Sequence, residues 1–134
     1  MKIIPYLALW LFIFSRASAV DFEKDVKPVL ERRCAKCHAY GERQGGLSME
    51  TRESLLKGGE DGKVVEAGKT KGSLFLDLLV EKDSADRMPQ KADRLPDEEI
   101  DLLQAWGKAG LPWDAGFAFR HPKAPMPPRV VKLP

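Results

Sequence analysis

Two cysteines and a histidine stand together in this chain as Cys34-Ala35-Lys36-Cys37-His38, a C-x-x-C-H pattern. Its two thiols can add to the two vinyl groups of one haem. The histidine that follows can then reach the iron as its proximal ligand. The chain has no other cysteine and one other histidine, His121. Other chemistries of a cysteine pair fit less well. A thioredoxin-like redox pair sits near a βαβ pattern, whereas a charged helical stretch leads into this motif. A structural zinc site needs four ligands, usually from two separated pairs, and the second pair is missing. A disulfide between Cys34 and Cys37 would close too small a loop to stabilise much. The motif is therefore read as the attachment site of one haem c, with its iron.

The elements that must hold this motif read as helices. Residues 21–33 place Phe22, Val26, Val29 and Leu30 on one apolar face. Asp21, Glu23 and Asp25 load the first turn, and Arg32 and Arg33 the last, both favourable for the helix dipole. Pro28 should kink this helix or delay its start. Residues 40–47 are loop. The glycines there let backbone approach a flat cofactor closely, or simply make an ordinary flexible loop. Thr51 is a candidate N-cap for a short helix through Leu55 and Leu56, which Gly58-Gly59 stops. Asp61-Gly62 marks a turn. Ser73 can cap a helix over residues 74–80, which is apolar nearly throughout and so should be buried on most sides. The last helix starts near Pro96, with Asp97, Glu98 and Glu99 in its first turn and Ile100, Leu103 and Trp106 as its stripe. Gly107 and Gly110 should end it. These segments, without an alternating strand pattern, predict an all-α fold. Its first and last helices are expected to pack together through Phe22, Val26, Leu30, Ile100, Leu103 and Trp106.

The ends of the chain differ from its middle. Lys2, an apolar run of about twelve residues over 3–14 and the A-x-A pattern Ala17-Ser18-Ala19 form a signal peptide, residues 1–19. The run is too short for the ~20 residues of a spanning helix. No membrane span is expected after cleavage, and the mature protein is expected in the periplasm. Six of the ten prolines, at 112, 122, 125, 127, 128 and 134, crowd the C-terminal segment, with Arg120, Lys123, Arg129 and Lys132. Residues 114–134 are accordingly read as a proline-rich basic tail or linker, and removal of 115–134 should be harmless. A net charge of +2 is too balanced to argue for nucleic acid or an anionic membrane surface.

The run Phe22-Glu23-Lys24-Asp25-Val26-Lys27-Pro28-Val29-Leu30, the haem motif, Gly45-Gly46-Leu47, Thr51-Arg52, Leu55-Leu56-Lys57-Gly58-Gly59, Gly68, Ser73-Leu74, Met88-Pro89 and Trp106 together resemble the planctomycete-type cytochrome c domain. That family lies within the class I cytochrome c superfamily. The resemblance covers residues 21–113, so the domain is expected over 20–113. It implies an all-α fold packed around one haem, with attachment at Cys34 and Cys37 and proximal ligation by His38. Met88 falls on the family's Met-Pro position, which implies the distal ligand. Two positions depart from the pattern. Ala67 and Pro96 stand where the family often has proline and Ser or Thr. Phe117-Ala118-Phe119 and the prolines after it look like the junction that, in this family, leads into a further domain.

The other candidates for the sixth ligand are Met49, Met126 and His121. Met49 lies just after the Gly45-Gly46 turn and suits the core. Met126 and His121 lie in the proline-rich tail, which has little to hold a ligand. Met88 sits between two helices, and Pro89 restrains its loop. No acid–base pair or activated nucleophile stands out, so the residues point to an electron carrier rather than an enzyme. Its partners would be redox proteins or an enzyme domain, met transiently. Two alternatives remain open, an accessory haem module of a larger periplasmic enzyme and a haem sensor or small-ligand binder. The covalent reading has a direct check. Haem should stay on the denatured wild-type chain made with maturation machinery, and Cys34→Ala with Cys37→Ala should abolish that haem stain.

Overall fold

The computed structural model describes residues 19–120. Residues 1–18, nearly all of the expected signal peptide, and residues 121–134, with His121, Met126 and most of the proline-rich tail, lie outside the described residues. Five α-helices follow one another: α1 Lys27–Arg33, α2 Ala35–His38, α3 Arg52–Lys57, α4 Leu74–Val80 and α5 Asp97–Lys108. Among the described residues there is no strand, only an isolated bridge between Gly59 and Gly62. The fold is all-α and cytochrome c-like. No helix among these residues is long and apolar enough to cross a membrane.

The expected helix over 21–33 forms in two pieces. Asp21 caps it, accepting from the Lys24 N–H at 2.9 Å, and residues Phe22–Val26 make a π turn before α1 begins. Pro28 explains the change. It has no N–H to give to Lys24, and its ring crowds that carbonyl. The wider turn, in which the Lys27 N–H donates to the Phe22 carbonyl, meets this constraint. Pro28 then lies in the first turn of α1, where its missing donor costs nothing.

The other caps follow their sequence signals. Thr51 and Ser54 form a reciprocal capping box at the start of α3. Gly58 ends α3 at φ 88°, and a Cβ there would strike the Gly62 carbonyl, so no larger residue fits. Ser73 caps α4. Within α4, Phe75, Leu76 and Leu79 are buried, but Leu74 and Val80 are 41% and 44% exposed. Burial on most sides thus fails at the two ends of this helix. One turn of α4 has no neighbour on those sides, and Leu74 faces a cleft described below. Gly107 does not end α5. The helix runs through it to Lys108, and a Cβ at this buried position would already touch Leu76 of α4. Gly110, at φ 93°, makes the turn instead.

The core is one cluster, and the expected apolar set lies within it. Phe22, Val26, Leu30, Ile100, Leu103 and Trp106 are all at most 4% exposed. The π turn packs on α5, and α4 packs on α5. Packing continues past the expected boundary at Trp113. Phe22 stacks on Trp113 at 4.4 Å between centroids, Phe117 lies 5.6 Å from Phe22, and Phe119 is 2% exposed. Lys27 sits over the Phe117 ring at 4.5 Å. The Arg52 guanidinium donates to the carbonyls of Gly110 and Leu111, at 2.9 Å each, where α5 gives way to this segment. Residues 111–119 are thus a strap fastened to the domain. Proline density hid this, because three aromatic side chains within seven residues anchor the strap without any periodicity. Truncation after Arg120 should leave helix content and thermal midpoint unchanged. Truncation after Asp114 removes the buried Phe119 and the partly buried Phe117 and should cost about 3 kcal/mol or more, read by chemical denaturation.

Candidate haem site

The cysteine pair is held by helix geometry. α1 ends at Cys34, whose N–H donates to the Leu30 carbonyl at 2.9 Å. α2 then carries Cys37 and His38, with the His38 N–H donating to the Cys34 carbonyl at 3.1 Å. One tight turn therefore presents both thiols and the imidazole on the same stretch of surface. Cys34, Cys37 and His38 are each partly buried. Both cysteines are free thiols. Burial pushes the Cys34 thiol up to about 12, and the neighbouring Cys37 sulfur adds to the effect. The thiol form is therefore favoured at neutral pH.

These residues border an open cleft, shared with Arg33, Met49, Phe75, Leu79, Met88 and Pro89. A second cleft runs on from it and shares His38, Gln44, Leu47, Phe75 and Met88. Its far end is closed by Gly45, Gly59, Val64, Leu74 and Leu78. The walls are mostly apolar, and α4 supplies much of one side. Gly59 matters here, because a Cβ at that position would meet the Gly45 carbonyl at 2.5 Å. The glycine turns thus close up backbone against backbone at the cleft edge.

His38 is held twice. Its carbonyl accepts from the Met49 N–H at 2.6 Å, and its Nδ1 lies 3.3 Å from the Leu47 carbonyl oxygen. A carbonyl can only accept, so in this contact Nδ1 carries the proton and Nε2 keeps its lone pair. Met88, partly buried, lies in the loop between α4 and α5, and its N–H donates to the Leu78 carbonyl at 3.0 Å. Met49 is 2% exposed and belongs to the core, as its position after the glycine turn suggested. The structure therefore brings Cys34, Cys37, His38 and Met88 to one cleft. The Leu47 carbonyl had no signal in the sequence, since a backbone acceptor is independent of side-chain identity. The apolar walls from Phe75, Leu78 and Leu79 were legible only as a nearly all-apolar helix.

The donor set suits a haem. Two thiols border an apolar cleft, with an imidazole nitrogen and a thioether on the same border. The family comparison agrees with this reading. Residues 34–91 match the family described as Planctomycete cytochrome C. The chain carries a planctomycete-type cytochrome c domain. Such a cytochrome c domain implies covalent haem c with iron. Among solved structures, a chain of Kuenenia stuttgartiensis hydrazine synthase is similar at 25% identity, with a TM-score of 0.46. The match covers 71% of this chain and 16% of that one. A search of curated proteins gives no match.

A cluster of charge braces the motif of this cytochrome domain from outside. Glu99, in the first turn of α5, accepts from Arg33 at 2.8 Å and from Arg32 at 3.1 Å, both at the end of α1. The hydrogen bond from Arg33, then that from Arg32, holds the Glu99 carboxyl below its ordinary value of 4.5, against the opposing effect of burial. A lowered carboxylate stabilises the fold fully above its ordinary pKa. That stabilisation is lost as pH falls through the lowered value. Glu99→Gln should therefore remove part of the acid-side loss of stability below about pH 4.5. Denaturation midpoints of the two proteins should differ most at neutral pH and converge in acid.

Proposed function

We propose that this chain is an exported, mono-haem cytochrome c that carries single electrons between redox partners, with Cys34 and Cys37 as thioether links and His38 and Met88 as axial ligands. The observation that supports the reading is an apolar cleft bordered by all four side chains. Haem supplies a one-electron ferric/ferrous couple. His38 offers Nε2, with its ring oriented by Leu47, and that hydrogen bond makes the ligand more basic. Met88 offers a thioether, which raises the potential relative to a second histidine. Leu47, Phe75, Leu78 and Leu79 exclude water and disfavour the more charged ferric state. Both ligands stay bound in either oxidation state, so little has to rearrange on transfer. The apolar leader at residues 3–14 supports export to the periplasm. A partner would meet the protein through a small, transient interface.

A weak near-infrared band of an iron–thioether bond is expected in the oxidised protein. Met88→Ala should abolish the band and lower the potential. A band that survives in Met88→Ala but disappears in His121→Ala or Met126→Ala would move the ligand to the tail. The reduced wild type should not bind carbon monoxide readily. Rapid binding would replace the carrier by a small-ligand binder.

A further inference from the structure

Residues 39–50 leave the haem motif and return to it. The return is marked by the two bonds on His38, from the Met49 N–H to its carbonyl and from its ring to the Leu47 carbonyl. At the base of this loop the Gly41 N–H donates to Glu50 Oε1 at 2.6 Å. The loop turns through positive φ at Tyr40, Gly41, Gly45 and Gly46. Its exposed tip makes few apolar contacts, so its course depends on packing at the base.

Phe119 touches both arms of that base. Its N–H donates to the Glu50 carbonyl at 2.9 Å. Its ring meets the Tyr40 ring edge to face, with centroids 6.4 Å apart. On its other sides it packs against Phe117 at 4.9 Å and Trp113 at 5.8 Å, and it is 2% exposed. Tyr40 lies two residues after His38, and Glu50 lies one after Met49 and three after Leu47.

We propose that Phe119 is a positioning residue for His38, bracing the loop whose Leu47 carbonyl holds the imidazole. The inference rests on the reading of His38 as proximal ligand. The contact it protects is long for an N–H···O bond, at 3.3 Å, so a shift of a few tenths of an ångström in Leu47 weakens it steeply. A less firmly held Nδ1–H makes Nε2 a poorer donor to the iron. Poorer donation disfavours the ferric state, so loss of the brace raises the potential. The strap thereby connects the C-terminal end of the domain to the iron without touching the cleft.

The test uses the full-length holoprotein. Nuclear magnetic resonance of the reduced form gives solvent exchange of the His38 Nδ1–H, and electrochemistry gives the potential. Phe119→Ala should speed that exchange roughly tenfold, the scale on which partners of a ligating histidine act, and shift the potential upward. Leu103→Ala, which opens a cavity in α5, should lower stability without either change. Phe119→Leu keeps most of the bulk and should give a smaller shift in the same direction. It carries the test alone if Phe119→Ala does not fold. Truncation after Arg120 should behave as wild type. Unchanged exchange and potential in the Phe119 variants, or equal changes in Leu103→Ala, overturn the proposal while the carrier reading stands. A wild type without haem, or with haem not ligated by His38, overturns that reading and this inference together.

Discussion

An imidazole presents one nitrogen reliably to a metal only when its other nitrogen is held. In this chain the Leu47 carbonyl takes Nδ1 and the Met49 N–H takes the His38 carbonyl, so the ring is fixed from a loop rather than from its own helix. α2 is a single turn, too short to be stable alone. Its rigidity comes from what surrounds it. The Cys34 N–H caps the end of α1 on the Leu30 carbonyl, Arg32 and Arg33 tie that end to Glu99 of α5, and the loop 39–50 returns to His38. The site depends on this loop more than on any helix.

The aromatic cluster carries the same logic to the opposite side of the domain. Phe75 of the cleft wall lies 6.5 Å from Trp106, Trp106 lies 6.3 Å from Trp113, and Trp113 stacks on Phe22. The Trp106 Nε1–H donates to the Pro112 carbonyl at 2.8 Å, so a fully buried indole keeps its polar atom satisfied at the start of the strap. The first helical piece, the last helix and the strap therefore share one packed interior. Close packing leaves little room to absorb a change in any one of these side chains.

The π turn at Phe22–Val26 shows how one residue can redirect a helix without ending it. Pro28 forbids a regular ladder, and the wider turn resolves the conflict while keeping Phe22 and Val26 in the core. Both apolar positions stay buried although the helical period changes between them. Burial, worth more than one backbone bond, decides the outcome.

Much was legible from residue types and spacing. C-x-x-C-H singles out residues that gather at one cleft, Thr51 and Ser73 cap where short polar side chains can accept from the next turn, and the apolar stripes of the first and last helices name the core. Such signals are local, since each rests on residues within one or two turns. The packing of Phe117 and Phe119, the run of α5 through Gly107 and the acceptor for His38 were not legible. Each depends on a neighbour distant in sequence, and the acceptor is a carbonyl that every residue possesses. Sequence by itself determined which residues could do chemistry and the helices that carry them. Only the tertiary structure decided which backbone oxygen orients the ligand and how far the chain is needed to hold it there.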